Sequence, residues 1–437
     1  MKETNEGKKE FKIEGIPAKI YLPSALLVGA AFLTGSLDTD MLSTMAFLFA
    51  LGAACYAIGE RIPFFNTWIG GGSMLAMLLP SVLVYVGIIG EEYVEAVTLF
   101  FDGAGFQNLF ICILMAGSFI ALNRNLLIKS IVRYIPAILA GVAVAAVFGI
   151  LAGVMMGHSV PELMTYYVLP IMGGGNGAGA IPMSQIYEAA TGNSKDTYYA
   201  AAVAILTIAN IICIIAGAVL NGIGKVVPGL TGDKKSIMRQ GDDVKDEKVQ
   251  LPKPNLEETA AGILIIGAVY ALSTLMSSKI LPSIGGIRIH AYVYFVLFMV
   301  LVNVSDIVPL EFRAGIRNLQ AFLVGKLGVV AFAAVGVSML DFGEFISAVN
   351  LENLIISFAV VLGAIVGTAV MGWFFGFYPI DAAVTAGLCM ANRGGSGDVV
   401  VLSAADRLEL MSYAAISSRV GGGLVLIIAG VVFNMLL

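Results

Sequence analysis

The chain is 437 residues long, 58% hydrophobic and only 13% charged, with a mean hydropathy of +0.91 and a formal net charge of −5. Soluble domains are usually about 25% charged, so this composition excludes a water-soluble enzyme or a nucleic-acid-binding domain and predicts an integral membrane protein in a lipid bilayer. Cys55, Cys112, Cys213 and Cys389 all lie in apolar segments without metal-ligand spacing, which predicts free thiols and neither a zinc site nor a disulfide.

The first twenty residues are charged and polar with no early apolar run, so they predict a cytoplasmic tail and not a cleaved signal peptide. A spanning helix needs roughly 20 mostly apolar residues. That criterion predicts eleven spans, near 21–36, 41–59, 71–89, 105–122, 132–156, 197–221, 258–278, 289–304, 318–340, 354–374 and 408–434. Two apolar, glycine-rich segments remain, 162–192 and 377–405. Between the halves lies the polar stretch 222–257, whose lysines, prolines and glycines suit a solvated cytoplasmic linker.

Lysine and arginine placement sets orientation. One set of connections holds nineteen of them, from Lys2 in the tail through Arg61, Arg124, Lys225, Arg313 and Arg317 to Arg407. The alternate set holds only Lys195, Lys279 and Arg288 and includes the acidic "GEEYVEAVTLFFDG". The contrast survives only if each leftover segment enters and leaves on one side, as a re-entrant hairpin. The N-terminus is then cytoplasmic and the C-terminus external. The two hairpins enter from opposite faces and share a G-G-x-G core, Gly174-Gly175-Asn176-Gly177 and Gly394-Gly395-Ser396-Gly397, as an inverted-topology repeat predicts. The implied domains are a tail 1–20, a leading helix 21–40, a first repeat 41–221, the linker 222–257 and a second repeat 258–437.

Unpaired backbone is intolerable in lipid and survives at that depth only where protein or a polar cavity satisfies it. Four glycines among five residues, Gly173 to Gly177, therefore predict a deliberate break that offers backbone N–H groups to an anion. Arg393 abuts the second cluster and Arg419 lies inside the last span. An arginine at mid-span costs roughly 2.5–3.5 kcal/mol on insertion scales, and guanidinium suits bidentate carboxylate capture. Asp398 and Asp381 are the candidate internal partners of Arg419. Asn176, Asn392, Ser396, Asp398 and Ser418 supply hard oxygens for Na+ or H+ coupling. His158 and His290 read as interfacial, and Lys326 as reaching to the cytoplasmic surface.

The motifs "GGNG", "MANRGGSGDV" and "ISSRVGG", in that order, resemble the 2-hydroxycarboxylate transporter family of bacterial citrate–sodium symporters and citrate/malate transporters, over nearly the whole chain. The resemblance implies an all-α elevator-type secondary transporter of about eleven transmembrane helices and two re-entrant hairpins. It also implies a homodimer in the bacterial cytoplasmic membrane, with no cofactor beyond the coupling ion. By motif match, the carboxylate would be held by Asn176, Gly177, Arg393, Gly395, Ser396 and Arg419. Sodium would sit around Ile171, Gly174, Met390 and Asn392, with a second ion near Ser396, Asp398 and Ser418. Proton coupling and exchange remain open within the same fold.

Two other classes compete. Gly395 to Asp398 matches the G-x-G-D of intramembrane aspartyl proteases, with Asp381 seventeen residues upstream, but the chain contains neither "YD" nor "PAL", and without a carboxylate dyad the shared proton is lost. Arginine-lined anion channels exist, although paired inverted hairpins favour alternating access.

Overall fold

The computed structural model describes residues 11–63, 66, 71–120, 124–234, 237–239, 251–284 and 287–437. The first ten residues of the predicted tail, and residues 235–236 and 240–250 of the predicted linker, lie outside the described residues. Among the described residues, six helices are long and apolar enough to cross a bilayer: Met41–Arg61, Arg133–Met155, Lys195–Val226, Leu256–Ile280, Leu351–Phe374 and Leu408–Leu436. The number reaches eight if Glu91–Gly103 with Phe106–Ile120, and Leu310–Lys326 with Gly328–Ser338, each form one bent span. Ala18–Leu33, Gly71–Tyr85 and Ala291–Ser305 are shorter apolar helices. This is an all-α polytopic membrane protein, with two-residue β-ribbons at Lys12–Pro17 and Ser283–Arg288.

Three sequence expectations need correcting. The acidic stretch expected as a connection is helical from Glu91 to Thr98 and continues as a wide turn to Gly103. The expected span 318–340 is two helices, because Leu327 leaves helical geometry (φ −98°, ψ 3°) between them. The first of these, Leu310–Lys326, carries Glu311, Arg313, Arg317, Asn318 and Gln320, so an apolar window overlooks it. The linker is not a free tether through its first half. Residues 222–226 finish the Lys195–Val226 helix, and the chain then folds back onto the Leu351–Phe374 helix and the residues after it. The Tyr378 N–H donates to the Ile237 carbonyl at 2.9 Å and the Arg239 N–H to that of Gly376 at 2.7 Å, while the Arg239 guanidinium lies 3.6 Å over the Trp373 ring.

The described chain forms two compact units. One comprises Met1–Asn108 with Leu323–Phe342, and the other Leu109–Phe322 with Gly343–Leu437. Within the first, Met41–Arg61, Gly71–Tyr85 and Gly328–Ser338 pack through small residues. A Cβ at Gly52 would lie 2.3 Å from the Val329 carbonyl oxygen, and one at Gly336 would lie 2.2 Å from that of Met77. Asp40 caps the Met41–Arg61 helix by accepting the Ser43 N–H at 2.7 Å. Small residues are what allow helices to approach closely in lipid, where apolar side chains alone give no drive to associate.

The second unit holds both glycine breaks and centres on two long pairings. The Arg124–Met155 and Leu351–Phe374 helices interlock through Gly141 against Thr368, and through Gly363 and Gly367 against the Val144 and Ala140 carbonyls. The Lys195–Val226 helix and the last span are the most buried, with 61% and 67% of their apolar windows covered, so they form the spine on which the breaks rest. The charged residue Arg407, expected on a cytoplasmic loop, is fully buried. Its Nε donates to Asp381 Oδ1 at 2.6 Å and its Nη2 to Thr231 Oγ1 at 2.8 Å. Asp381 also accepts from Thr231 Oγ1 at 3.0 Å and from the Gly232 N–H at 3.2 Å. Asp381 is thus the partner of Arg407 and not of Arg419, and it is unavailable for a protease dyad with Asp398.

His158 lies in the loop after the Arg124–Met155 helix and bridges Glu162 at 2.8 Å and Glu352 at 2.9 Å. Burial works against its charged form, but hydrogen bonds and charge from the two glutamates outweigh that and hold its pKa above the ordinary 6.5.

Two outcomes follow for stability. Arg407→Ala leaves Asp381 as a buried, unpaired charge, and thermal unfolding in detergent is expected to show a loss of about 3–5 kcal/mol. His158 has a raised folded pKa, so its contribution is complete below 6.5 and is lost as pH rises through the folded value. Between about pH 6 and about pH 8, the melting temperature of the wild type should fall more than that of His158→Gln, as differential scanning fluorimetry would record.

Candidate functional site

The first break follows the short helix Leu169–Ile171, and a new helical run begins at Asn176. The second follows the wide turn Ala383–Leu388, and the helix Ser396–Ala404 begins beyond it. Each break exposes backbone groups that need partners, and each supplies them to the other. The Gly174 N–H donates to the Met390 carbonyl at 3.2 Å, and the Asn176 N–H to the Arg393 carbonyl at 3.3 Å. Two positions require glycine for this contact. Gly175 has φ 116°, and a Cβ there would sit 2.4 Å from the Arg393 oxygen. Gly394 has φ 69°, and a Cβ there would sit 2.6 Å from the Gly174 oxygen.

The last span passes against this junction. A Cβ at Gly422 would lie 2.7 Å from the Gly173 oxygen, and the Ser418 carbonyl closes on Gly174. At Ser417–Gly421 the helix opens into a wide turn that carries Arg419. Such bulges recur at functional sites because they redirect one side chain and loosen carbonyls from the helical ladder. Ser417 is held from the Arg124–Met155 helix by Tyr134, with 2.9 Å between their hydroxyl oxygens.

The expected carboxylate residues converge in part. Asn176 is buried and bonded at its N–H to the second break. Arg393 and Arg419 are half-buried. Among the described residues no hydrogen bond reaches the Arg419 guanidinium. Gly177 is half-buried and Gly395 exposed, and a Cβ at Gly395 would meet nothing within 4 Å. Ser396 opens the following helix, beside the N–H groups at its start. The junction therefore has a close backbone contact on one side and an open face at Gly395.

The expected cation residues meet deeper in. Asp398 is 2% exposed; its Oδ1 accepts Asn392 Nδ2 at 3.0 Å and its Oδ2 accepts the Ser418 hydroxyl at 2.8 Å. The single Ser418 hydroxyl proton is shared between Asp398 and the Ala414 carbonyl at 3.0 Å, and the oxygen's lone pairs suit a cation. Asn392 Oδ1 accepts the Gly394 N–H at 2.5 Å. Asn392, expected with one ion, and Asp398, expected with the other, thus share one hydrogen-bond network. Ile171 is buried at the end of its short helix, and Met390 contributes the carbonyl that receives Gly174.

Sequence reasoning missed two residues on the Lys195–Val226 helix that orient both breaks. The Tyr199 hydroxyl donates to Asn176 Oδ1 at 2.9 Å, and Asn210 Oδ1 accepts the Arg393 N–H at 3.3 Å. Asn210 had a signal, since a lone amide in the apolar run "AILTIANIICII" marks a buried polar contact. Tyr199, one of two tyrosines at a span end, had none.

A profile of the 2-hydroxycarboxylate transporter family matches residues 13–431. The citrate/sodium symporter of Salmonella typhimurium is 43% identical over 98% of this chain and 95% of its own. The malate transporter MleP of Lactococcus lactis is 31% identical over 98% of both chains, and the citrate transporter CitP of Lactococcus lactis is 28% identical over 98% of this chain and 94% of its own. The family match and these relatives make this chain a multi-pass membrane transporter and not an enzyme. The chain belongs to the 2-hydroxycarboxylate transporter family.

Removing the Tyr199 hydroxyl takes away one hydrogen bond to the Asn176 amide oxygen. Tyr199→Phe is expected to raise the half-saturation concentration for carboxylate uptake several-fold, in line with a net hydrogen-bond contribution of about 1 kcal/mol, while leaving the melting temperature nearly unchanged.

Proposed function

We propose that the protein imports citrate or malate across the bacterial cytoplasmic membrane in symport with Na+. The observation that carries this is Arg419: a guanidinium within the last span, half-buried, without a hydrogen bond among the described residues and beside the open face of the junction. Such a group is costly to leave unsatisfied at membrane depth, and a substrate carboxylate satisfies it bidentately. Asn176, Gly177, Gly395, Ser396 and Arg393 complete the carboxylate site. One sodium sits around Ile171, Gly174, Met390 and Asn392, and a second ion near Ser396, Asp398 and Ser418.

Coupling follows from charge. An inside-negative potential opposes anion entry by about 2.3 kcal/mol per charge per 100 mV, so a di- or trivalent carboxylate needs co-transported cations. The name of the Salmonella relative supports sodium. In this reading the two glycine breaks are the tips of re-entrant hairpins, 162–192 and 377–405, in two inverted repeats with eleven spans. A homodimer carries substrate by elevator-like movement, with its N-terminus cytoplasmic and its C-terminus external. The mutual satisfaction of the two breaks supports the hairpin assignment, because neither could be stable facing lipid.

Uptake of labelled citrate and malate into proteoliposomes tests this under an imposed Na+ gradient and, separately, an imposed pH gradient. Accumulation driven by sodium alone is the expected result; accumulation driven only by the pH gradient transfers the coupling to protons. Exchange seen only with carboxylate loaded inside indicates an antiporter. Arg419→Ala is expected to raise the half-saturation concentration roughly 10- to 100-fold, the equivalent of about 1.5–3 kcal/mol for bonds to a charged group, with an unchanged melting temperature. Asn176→Ala should cost less. Unchanged affinity in Arg419→Ala would remove that residue from the site.

A further inference from the structure

The Leu310–Lys326 helix carries two arginines one turn apart, and they live differently. Arg313 is 4% exposed, donates from Nε to the Val308 carbonyl at 2.8 Å and from Nη2 to that of Asn303 at 3.4 Å, and pairs with Asp306 at 2.6 Å. Its role in tying down the turn before the helix is complete. Arg317 is exposed, and its one hydrogen bond runs from Nη1 to Gln320 Oε1 at 2.7 Å. Among the described residues no carboxylate pairs with it.

Gln320 is held in place. It is 8% exposed, and its Nε2 donates to the Leu114 carbonyl at 3.0 Å and to Ser118 Oγ at 3.0 Å. The backbone of Gly117 approaches so closely that a Cβ there would lie 2.5 Å from Gln320 Cβ. Leu114 in turn packs on the first glycine break, where a Cβ at Gly177 would be 2.9 Å from Leu114 Cδ2. The contacts Gly177–Leu114–Gln320–Arg317 therefore tie Arg317, through Gln320, to the Phe106–Ile120 helix that packs on the first break. Arg317 and Arg419 are two guanidinium groups that, among the described residues, pair with no carboxylate, and an anion between them satisfies both.

We propose that Arg317 binds one carboxylate of the substrate, as a third guanidinium beside Arg393 and Arg419, and sets the preference for three carboxylates over two. The inference rests on the citrate or malate reading above. Citrate offers one carboxylate to each arginine, whereas malate has none left for Arg317. Arg317 is thus a specificity residue, and Gln320 the positioning residue that orients it.

The test is competition in proteoliposomes. Unlabelled citrate and malate compete against whichever labelled acid the wild type transports, in wild type, Arg317→Gln and Arg317→Lys. In Arg317→Gln the concentration of citrate for half-inhibition is expected to rise roughly tenfold, the equivalent of about 1.4 kcal/mol. That of malate should move less than about twofold, as expected for an acid with no contact to lose. Arg317→Lys, which keeps the charge but not the planar fork, should retain part of the preference, and melting temperatures should coincide. An equal shift for both acids would make Arg317 a general attractor or a structural residue and overturn the proposal. No shift for either, or a wild type on which citrate does not compete, would overturn it too. A wild type that transports neither acid refutes the functional reading itself, and this inference with it.

Discussion

Everything in the larger unit depends on one constraint: backbone polar groups within an apolar mass must be paired. Two interruptions of helical structure, 220 residues apart, meet this demand together, with the Gly174 N–H bonded to Met390 and the Asn176 N–H to Arg393. The contact is so close that Gly175 and Gly394 have no room for a side chain. Neither break could be stable alone in an apolar surrounding. Their pairing fixes where Arg393 and the Ser396–Ala404 helix stand relative to Asn176, and the last span is laid against both.

The buried charges divide along the same line. Arg407 and Asp381 are fully enclosed and complete, with Thr231 and Gly232 satisfying what remains of the carboxylate. This pair bolts the region just before and after the second break to the segment that follows the Lys195–Val226 helix. Arg419 has no such completion, and Asp398 is satisfied by the hydroxyl and amide of Ser418 and Asn392, groups that also carry cation-ligating oxygens. An ion pair that is complete holds structure together; a cation left incomplete beside an open face asks for a ligand.

Much of this was legible in the sequence because the bilayer imposes simple rules. Hydropathy located most of the helices, and the clustering of Gly173 to Gly177 and of Gly394 to Gly397 located the breaks. Arg393, Arg419 and Asp398 stood out as ionisable residues in apolar runs. Where the reading failed, the signal was local and the answer was not. The Leu310–Lys326 helix is amphipathic, so a window tuned to apolar length merged its end with Gly328–Ser338. The linker looked solvated because its residues are polar, yet Thr231, Gly232, Ile237 and Arg239 are fixed by partners more than 130 residues away. Tyr199 is one of many tyrosines until its hydroxyl is seen on Asn176.

The sequence by itself determined that the chain lives in a membrane, that it breaks its helices twice with glycine, and that it carries arginines at the depth of those breaks. These properties follow from residue type and spacing alone, since transfer free energy and backbone freedom are local. Only the tertiary structure decided which charges are spoken for: that Asp381 belongs to Arg407 and not to Arg419, that Asn210 and Tyr199 hold the two breaks, and that Arg317 leans on Gln320, which is held against the Phe106–Ile120 helix. A charge is satisfied by whatever lies within a few ångströms of it, and proximity between residues 100 or 200 positions apart is set by packing, which no local pattern encodes.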